Sequence, residues 1–151
     1  MLIQRIVMTA TAGFLFALTA LAQAPSPDVP SGCSGDTVDR MGPQTAEQAR
    51  SFLARLKAAV EANKKADVAS MVLFPLRWNA QGHRTTIASR EAFLRKYDQI
   101  INANVKSKIS DEKSSRCLFA NYQGFMIGDG EVWIREASPG GLKIVTVNQT
   151  G

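Results

Sequence analysis

The chain has 151 residues, with 18 basic and 13 acidic side chains, one histidine and two cysteines, and a net charge of +5. That length supports one domain with a proper core. A single histidine excludes a histidine-rich metal site, and two cysteines leave no zinc motif, so no metal is expected.

The amino-terminal segment reads first. Arg5 supplies a positive start, the uncharged run IVMTATAGFLFALTALA follows, and Ala20-Leu21-Ala22 closes it in small-x-small form. This pattern predicts a signal peptide over residues 1–22, cut after Ala22, and a periplasmic or secreted mature chain. A membrane anchor is the competing reading, but the run falls short of the ~20 apolar residues that span a bilayer. No later stretch is apolar for long enough, so no transmembrane segment is expected after cleavage. Losing Arg5 leaves 17 basic against 13 acidic residues, a net charge of +4. The basic residues are scattered rather than striped between aromatics, which argues against nucleic acid as a partner.

Residues 23–44 hold four of the six prolines and three glycines, the composition of a flexible arm. Within it lies Cys33, and the other cysteine is Cys117. In an oxidising compartment the pair predicts one disulfide. Closing so long a loop stabilises by roughly 4–5 kcal/mol in the chain-entropy view. Lipid attachment at Cys33 is the alternative, since PSGC places small residues before it. Pro30, not a leucine-like residue, stands three positions earlier.

A single domain is expected over 45–151. TAEQARSFLARLKAAVEAN opens with Thr45 and Gln48 in capping-box spacing and repeats Ala49, Phe52, Leu53, Leu56 and Val60 at helical steps. The helix should end near Asn63. A second, short helix is expected from Asp67, with Val68, Met71 and Val72 inward, stopped by Phe74-Pro75. LRWNAQGHRTTI reads as strand, turn at Gln81-Gly82, strand. A third helix, capped by Ser89, carries the stripe Phe93, Leu94, Tyr97, Ile100 and Ile101. Residues 105–115 are polar and are expected to loosen into a loop after one more helical turn, and RCLFANY reads as extended.

GFMIGDGEVWIRE is the clearest local signal. Asp129-Gly130 between two β-rich runs predicts a type I′ hairpin. The register would set Ile127 opposite Val132, Met126 opposite Trp133 and Phe125 opposite Ile134. One face is then wholly apolar; the other carries Met126, Glu131, Trp133 and Arg135. GLKIVTVNQ follows as a last strand, apolar on both sides, which suits a central, covered position.

This order gives an α+β class, with three helices in the amino-terminal half packed on the concave face of a curved antiparallel sheet. The Phe-Pro strand entry VLFPLRW, the helix FLRKYDQII and the closing GDGEVWI and LKIVTVN resemble the nuclear-transport-factor-2-like superfamily, and more narrowly its exported bacterial members. The resemblance covers about residues 45–149. It implies the cone fold shared with ketosteroid isomerase and a pocket between helices and sheet. That superfamily includes enzymes, ligand binders and interaction modules, so the fold alone does not choose among them. The Asp base and the Tyr and protonated Asp of the isomerase type find no counterparts here: the first helix turns only Ala, Phe, Leu and Val inward, and the strand after Pro75 carries Arg77 and Asn79.

Several residues compete for a role. Asp129 and Glu131 could be an acid–base pair, but a turn favours Asp at its tip for backbone reasons. His83, beside Gly82, reads as an exposed hairpin residue and is a weak catalytic candidate. Tyr97 is the other, a hydroxyl on an apolar stripe. Trp78, Tyr97, Met126, Trp133 and Arg135 are the candidate ligand-binding set: an apolar pocket with one cation if the mixed hairpin face looks inward, a contact patch for a subunit or partner if it looks outward. There is no nucleophile elbow and no phosphate-cradling glycine loop, so no cofactor is expected. The expectation is an exported, non-catalytic domain binding a small apolar or acidic molecule or an envelope protein. A small-molecule enzyme on the same fold, a pocketless interaction or inhibitor protein, and a sheet-to-sheet homodimer are the alternatives.

Overall fold

The computed structural model describes Cys33 and residues 37–149. The expected signal peptide and the expected arm as far as residue 36, Cys33 apart, lie outside the described residues. Within them the chain is α+β, with six α-helices and one six-stranded sheet.

Helix α1 (Pro43–Glu61) starts two positions before the expected cap at Thr45, with Gly42 flanking it and proline at its first turn. Proline has no N–H to leave unpaired there, so it outcompetes the capping box. Just ahead lies a short 3-10 helix, Val38–Met41. Its Val38 is 0% exposed, and its N–H donates to the Leu118 carbonyl at 2.9 Å. Asp39 pairs with Arg50 of α1. Residues 37–42, arm-like by composition, therefore pack on the domain. The apolar stripe of α1 is buried as its spacing requires, Phe52, Leu53 and Leu56 included.

Helix α2 (Lys65–Ser70) is earlier and shorter than expected, and Asp67 lies within its first turn instead of capping it. Val72 already belongs to strand β1 (Val72–Ala80), because Ile144 N–H donates to the Met71 carbonyl at 2.8 Å and pins the chain extended. Pro75 is tolerated because the ladder with the last strand is interrupted between Val72 and Arg77. Gln81 and Gly82 turn into β2 (His83–Ile87) with φ of 51° and 76°, the two positive values of a type I′ turn.

The expected third helix is broken into α3 (Arg90–Arg95), α4 (Tyr97–Ile100) and α5 (Ala103–Ser110), and α6 (Glu112–Arg116) follows. Ser89 caps α3 as expected, its hydroxyl accepting from Ala92 N–H. Asn102 and Asp111 start new helices in the same way, accepting from Val105 and Ser114. Residues 105–115 are thus largely helical rather than a loop, and Val105 and Ile109, one turn apart, are buried.

Strands β3 (Phe119–Asn121), β4 (Gly124–Ile127), β5 (Val132–Ala137) and β6 (Gly141–Gln149) complete the sheet in the order β2-β1-β6-β5-β4-β3. The sheet is mixed, not antiparallel: β1 and β6 run parallel at its centre. The β4–β5 hairpin has the expected register throughout. Its turn is not type I′, since Gly128 and Gly130 have positive φ and Asp129 does not. Buried residues of the helices and of one sheet face, among them Leu76, Ile127, Ile134, Ile144 and Val147, form a single core.

Candidate functional site

The alternation of each strand decides what the two sheet faces carry. Phe125, Ile127, Val132 and Ile134 go to the helix side and are buried. Trp133 and Arg135 therefore point to the other side, on which no helix of the described residues packs. Pairing aligns one row across all six strands there: Thr86, Arg77, Thr146, Trp133, Met126 and Phe119. A neighbouring row runs Arg84, Asn79, Asn148. Between the side chains lies an open groove of about 670 Å³.

Thr146 and Asn148 of β6 form the floor. Arg77 and Arg84 rise on one side, Trp133 and Arg135 on the other, and Tyr122 stands near one end. Neighbouring strands lie about 4.8 Å apart, so Arg77 and Trp133, two strands from each other, stand roughly 10 Å apart at the backbone. The floor is wide because a bulge at Val145 re-aims β6: Ile144 pairs with Ile134, but Thr146 pairs with Trp133. Gly124 lets β4 approach closely. A Cβ there would lie 2.2 Å from the Ile134 carbonyl oxygen and 2.8 Å from Arg135 Cγ, so the Arg135 stem runs over this glycine. Asn148 donates to the Gly130 carbonyl at 2.6 Å and accepts from Asn79 at 2.7 Å, tying the floor to the β4–β5 turn.

None of the described residues that line this groove is acidic, while three are arginines. Among the described residues, none of those arginines enters an ion pair. The groove is accordingly a region of positive potential with an indole beside it. A second cleft, of about 610 Å³, lies between α1, α2 and the β5–β6 turn. It is less one-sided: Asp67 lines it with Arg55 and Lys64, and Lys143 donates to the Ser70 carbonyl at 2.8 Å.

The expected ligand-binding set is split by the sheet. Met126, Trp133 and Arg135 share the helix-free face, but Trp78 and Tyr97 belong to the helix side. Trp78 pairs with Thr85 and Val147, and the Lys96 ammonium lies 5.7 Å from its ring. Tyr97 is 1% exposed, packed edge-on against Phe93, with Lys65 and Lys106 near its ring. Burial first, then the Asp98 charge, pushes its hydroxyl above the ordinary 10.0. Among the described residues that hydroxyl has no hydrogen-bond partner. A phenol held neutral in a packed core, with no base aimed at it, is a poor catalyst. His83 is exposed at the start of β2, one residue from Arg84, and does not itself line the groove.

Asp129 and Glu131 do not form an acid–base pair. Asp129 is solvent-facing and bonded to Lys108 at 2.6 Å, which holds its carboxyl below the ordinary range. Glu131 is 2% exposed, and its carboxylate accepts the Asp129 N–H at 2.6 Å. It closes the turn, a role that neither alternation nor turn type announces. The groove residues that sequence reasoning missed are Arg77, Arg84 and the floor; the signal was the parity of Arg77 and Asn79 in β1, readable only once β1 is known to lie beside β6.

Cys33 and Cys117 are joined, with Cα atoms 5.3 Å apart. Among the described residues there is no cluster of side chains suited to a metal, and no helix long and apolar enough to cross a membrane. Comparison with protein-family models, curated proteins and solved structures finds no match.

Proposed function

We propose that the chain is an exported, non-catalytic binding domain of the nuclear-transport-factor-2-like type that takes an acidic ligand on the helix-free face of its sheet. The observation that carries this reading is the groove of Arg77, Arg84, Arg135 and Trp133, with no lining carboxylate to neutralise it. Guanidinium groups offer forked donors matched to carboxylates, each such bond contributing about 1.5–3 kcal/mol. The interior between helices and sheet supports the same conclusion. Among the described residues it is filled by apolar side chains such as Leu76, Phe93 and Ile100, with Tyr97, and no acid and base converge in it. A face-to-face homodimer through this groove would set arginines against arginines, which opposes it.

Export is supported by the leader-like residues 1–22 and by the disulfide. The fold assignment is supported by helices gathered on one face of a sheet whose first and last strands are neighbours. The test is gentle purification from the cell envelope followed by native mass spectrometry and amino-terminal sequencing. The expected result is a mature chain beginning at Gln23 and retaining an acidic mass that an Arg77→Ala/Arg135→Ala variant loses. A chain with an intact leader, or a retained mass indifferent to both arginines, overturns the reading.

A further inference from the structure

Resting on the reading of the groove as an acidic-ligand site, we infer that the ligand is an acidic sugar, a uronate-type oligosaccharide. The charge of the groove is only part of its chemistry. Trp133 lies within it, and Tyr122, at the β3–β4 turn, is 94% exposed, an aromatic ring left almost wholly in water. The two rings give the groove flat apolar surface on which a ligand can lie. The remaining polar lining is neutral: Asn79, Thr86, Gln123, Thr146 and Asn148. Hydroxyls and amides both donate and accept, so they complement a ligand whose own groups do both.

A pyranose ring meets each of these demands. Its C–H faces are apolar and flat enough to lie on Trp133 or Tyr122. Its hydroxyls are both donors and acceptors, and a uronate adds one planar carboxylate per ring for the arginine forks. An acidic peptide fits less well. It would seek unpaired backbone groups along a strand edge, yet β1, β6 and β5, which carry most of the groove, are each paired on both sides. A second copy apposed groove to groove brings only like charge.

The test is calorimetric titration of the mature chain with tetragalacturonate, maltotetraose, polyglutamate and an oligothymidylate. Tetragalacturonate should bind saturably and at least tenfold more tightly than the other three. Arg77→Ala, Arg135→Ala and Trp133→Ala should each weaken it at least tenfold, and Tyr122→Ala severalfold. Tyr122 and Arg135 are exposed, so those two variants keep the comparison meaningful if Trp133→Ala fails to fold. Equal binding of polyglutamate would overturn the sugar assignment and leave the acidic-ligand face standing, as would preference for the oligothymidylate. Equal binding of maltotetraose would remove the acid requirement. Failure of every anionic probe to bind in an arginine-dependent way would overturn both this inference and the reading beneath it.

Discussion

Asn148 and Asn79 lie side by side on β6 and β1, and the orientation of both amides is fixed from one end. The Gly130 carbonyl can only accept, so Asn148 must present its Nδ2 there, at 2.6 Å; its oxygen then accepts from Asn79 at 2.7 Å. The chain of bonds couples the β4–β5 turn to the floor of the groove. Asn148→Ala removes both bonds and should destabilise the fold by about 1–3 kcal/mol in urea denaturation. Asn148→Asp should do no better, since a carboxylate cannot donate to Gly130.

Tyr97 gives the opposite expectation. Its hydroxyl is buried with no partner among the described residues, so Tyr97→Phe removes an unsatisfied polar group. The variant should be unchanged or more stable by up to about 1 kcal/mol. Thermal and chemical denaturation of the two chains checks this, and binding at the groove should be unaffected.

The pH dependence follows from exposed pairs. Lys108 holds the Asp129 carboxyl below its ordinary 3.8, and Lys65 does the same for Asp98. A depressed folded value means the stabilisation is complete above the unfolded value and fades as pH falls through the folded one. Lys108 is raised above 10.5, through its bond to Asp129. Its share is complete below that value and fades as pH rises through the folded one. Urea midpoints should therefore fall in acid, and Asp129→Asn should flatten that decline. Both effects should shrink in about 1 M salt, because the groups are exposed.

The disulfide closes a loop over a sequence separation of 84. Replacing Cys33 and Cys117 by serine should lower stability by up to about 5 kcal/mol. The loss should be felt first at the amino end, where Val38 is held by Leu118 and Thr37 by Phe119. Limited trypsin digestion should cut after Arg40 faster in the double variant than in the native chain.

Periodicity and caps made much of this legible. The stripe of α1, the Ser89 cap, the Gln81-Gly82 turn and the full register of the β4–β5 hairpin all follow from local pattern, because each is settled by residues a few positions apart. The failures share a cause. Whether Val72 ends a helix or begins a strand depends on a hydrogen bond from Ile144, more than seventy positions on. The parallel pairing of β1 with β6 has no local signature either, and with it went the sheet class and the position of Arg77. The breaks after Arg95 and Ile100 were hidden because the apolar stripe continues across them, although Asn102 and Asp111 carried a cap signal that the polar character of 105–115 obscured. For the site, the mixed hairpin face was readable in composition. Which way it looked was not, so Trp78 and Tyr97 were grouped with residues on the far side of the sheet.

The adjacency of β1 and β6 bears on how this polypeptide comes to be folded at all. As it emerges amino end first, β1 and β2 can form only an isolated ribbon, which is marginal in water. The centre of the sheet waits for the last nine-residue strand, Gly141–Gln149. Deleting that strand would separate the β1–β2 hairpin from the three-stranded unit of β3, β4 and β5, so the sheet should stay loose until Gly141–Gln149 has been made and can dock between them.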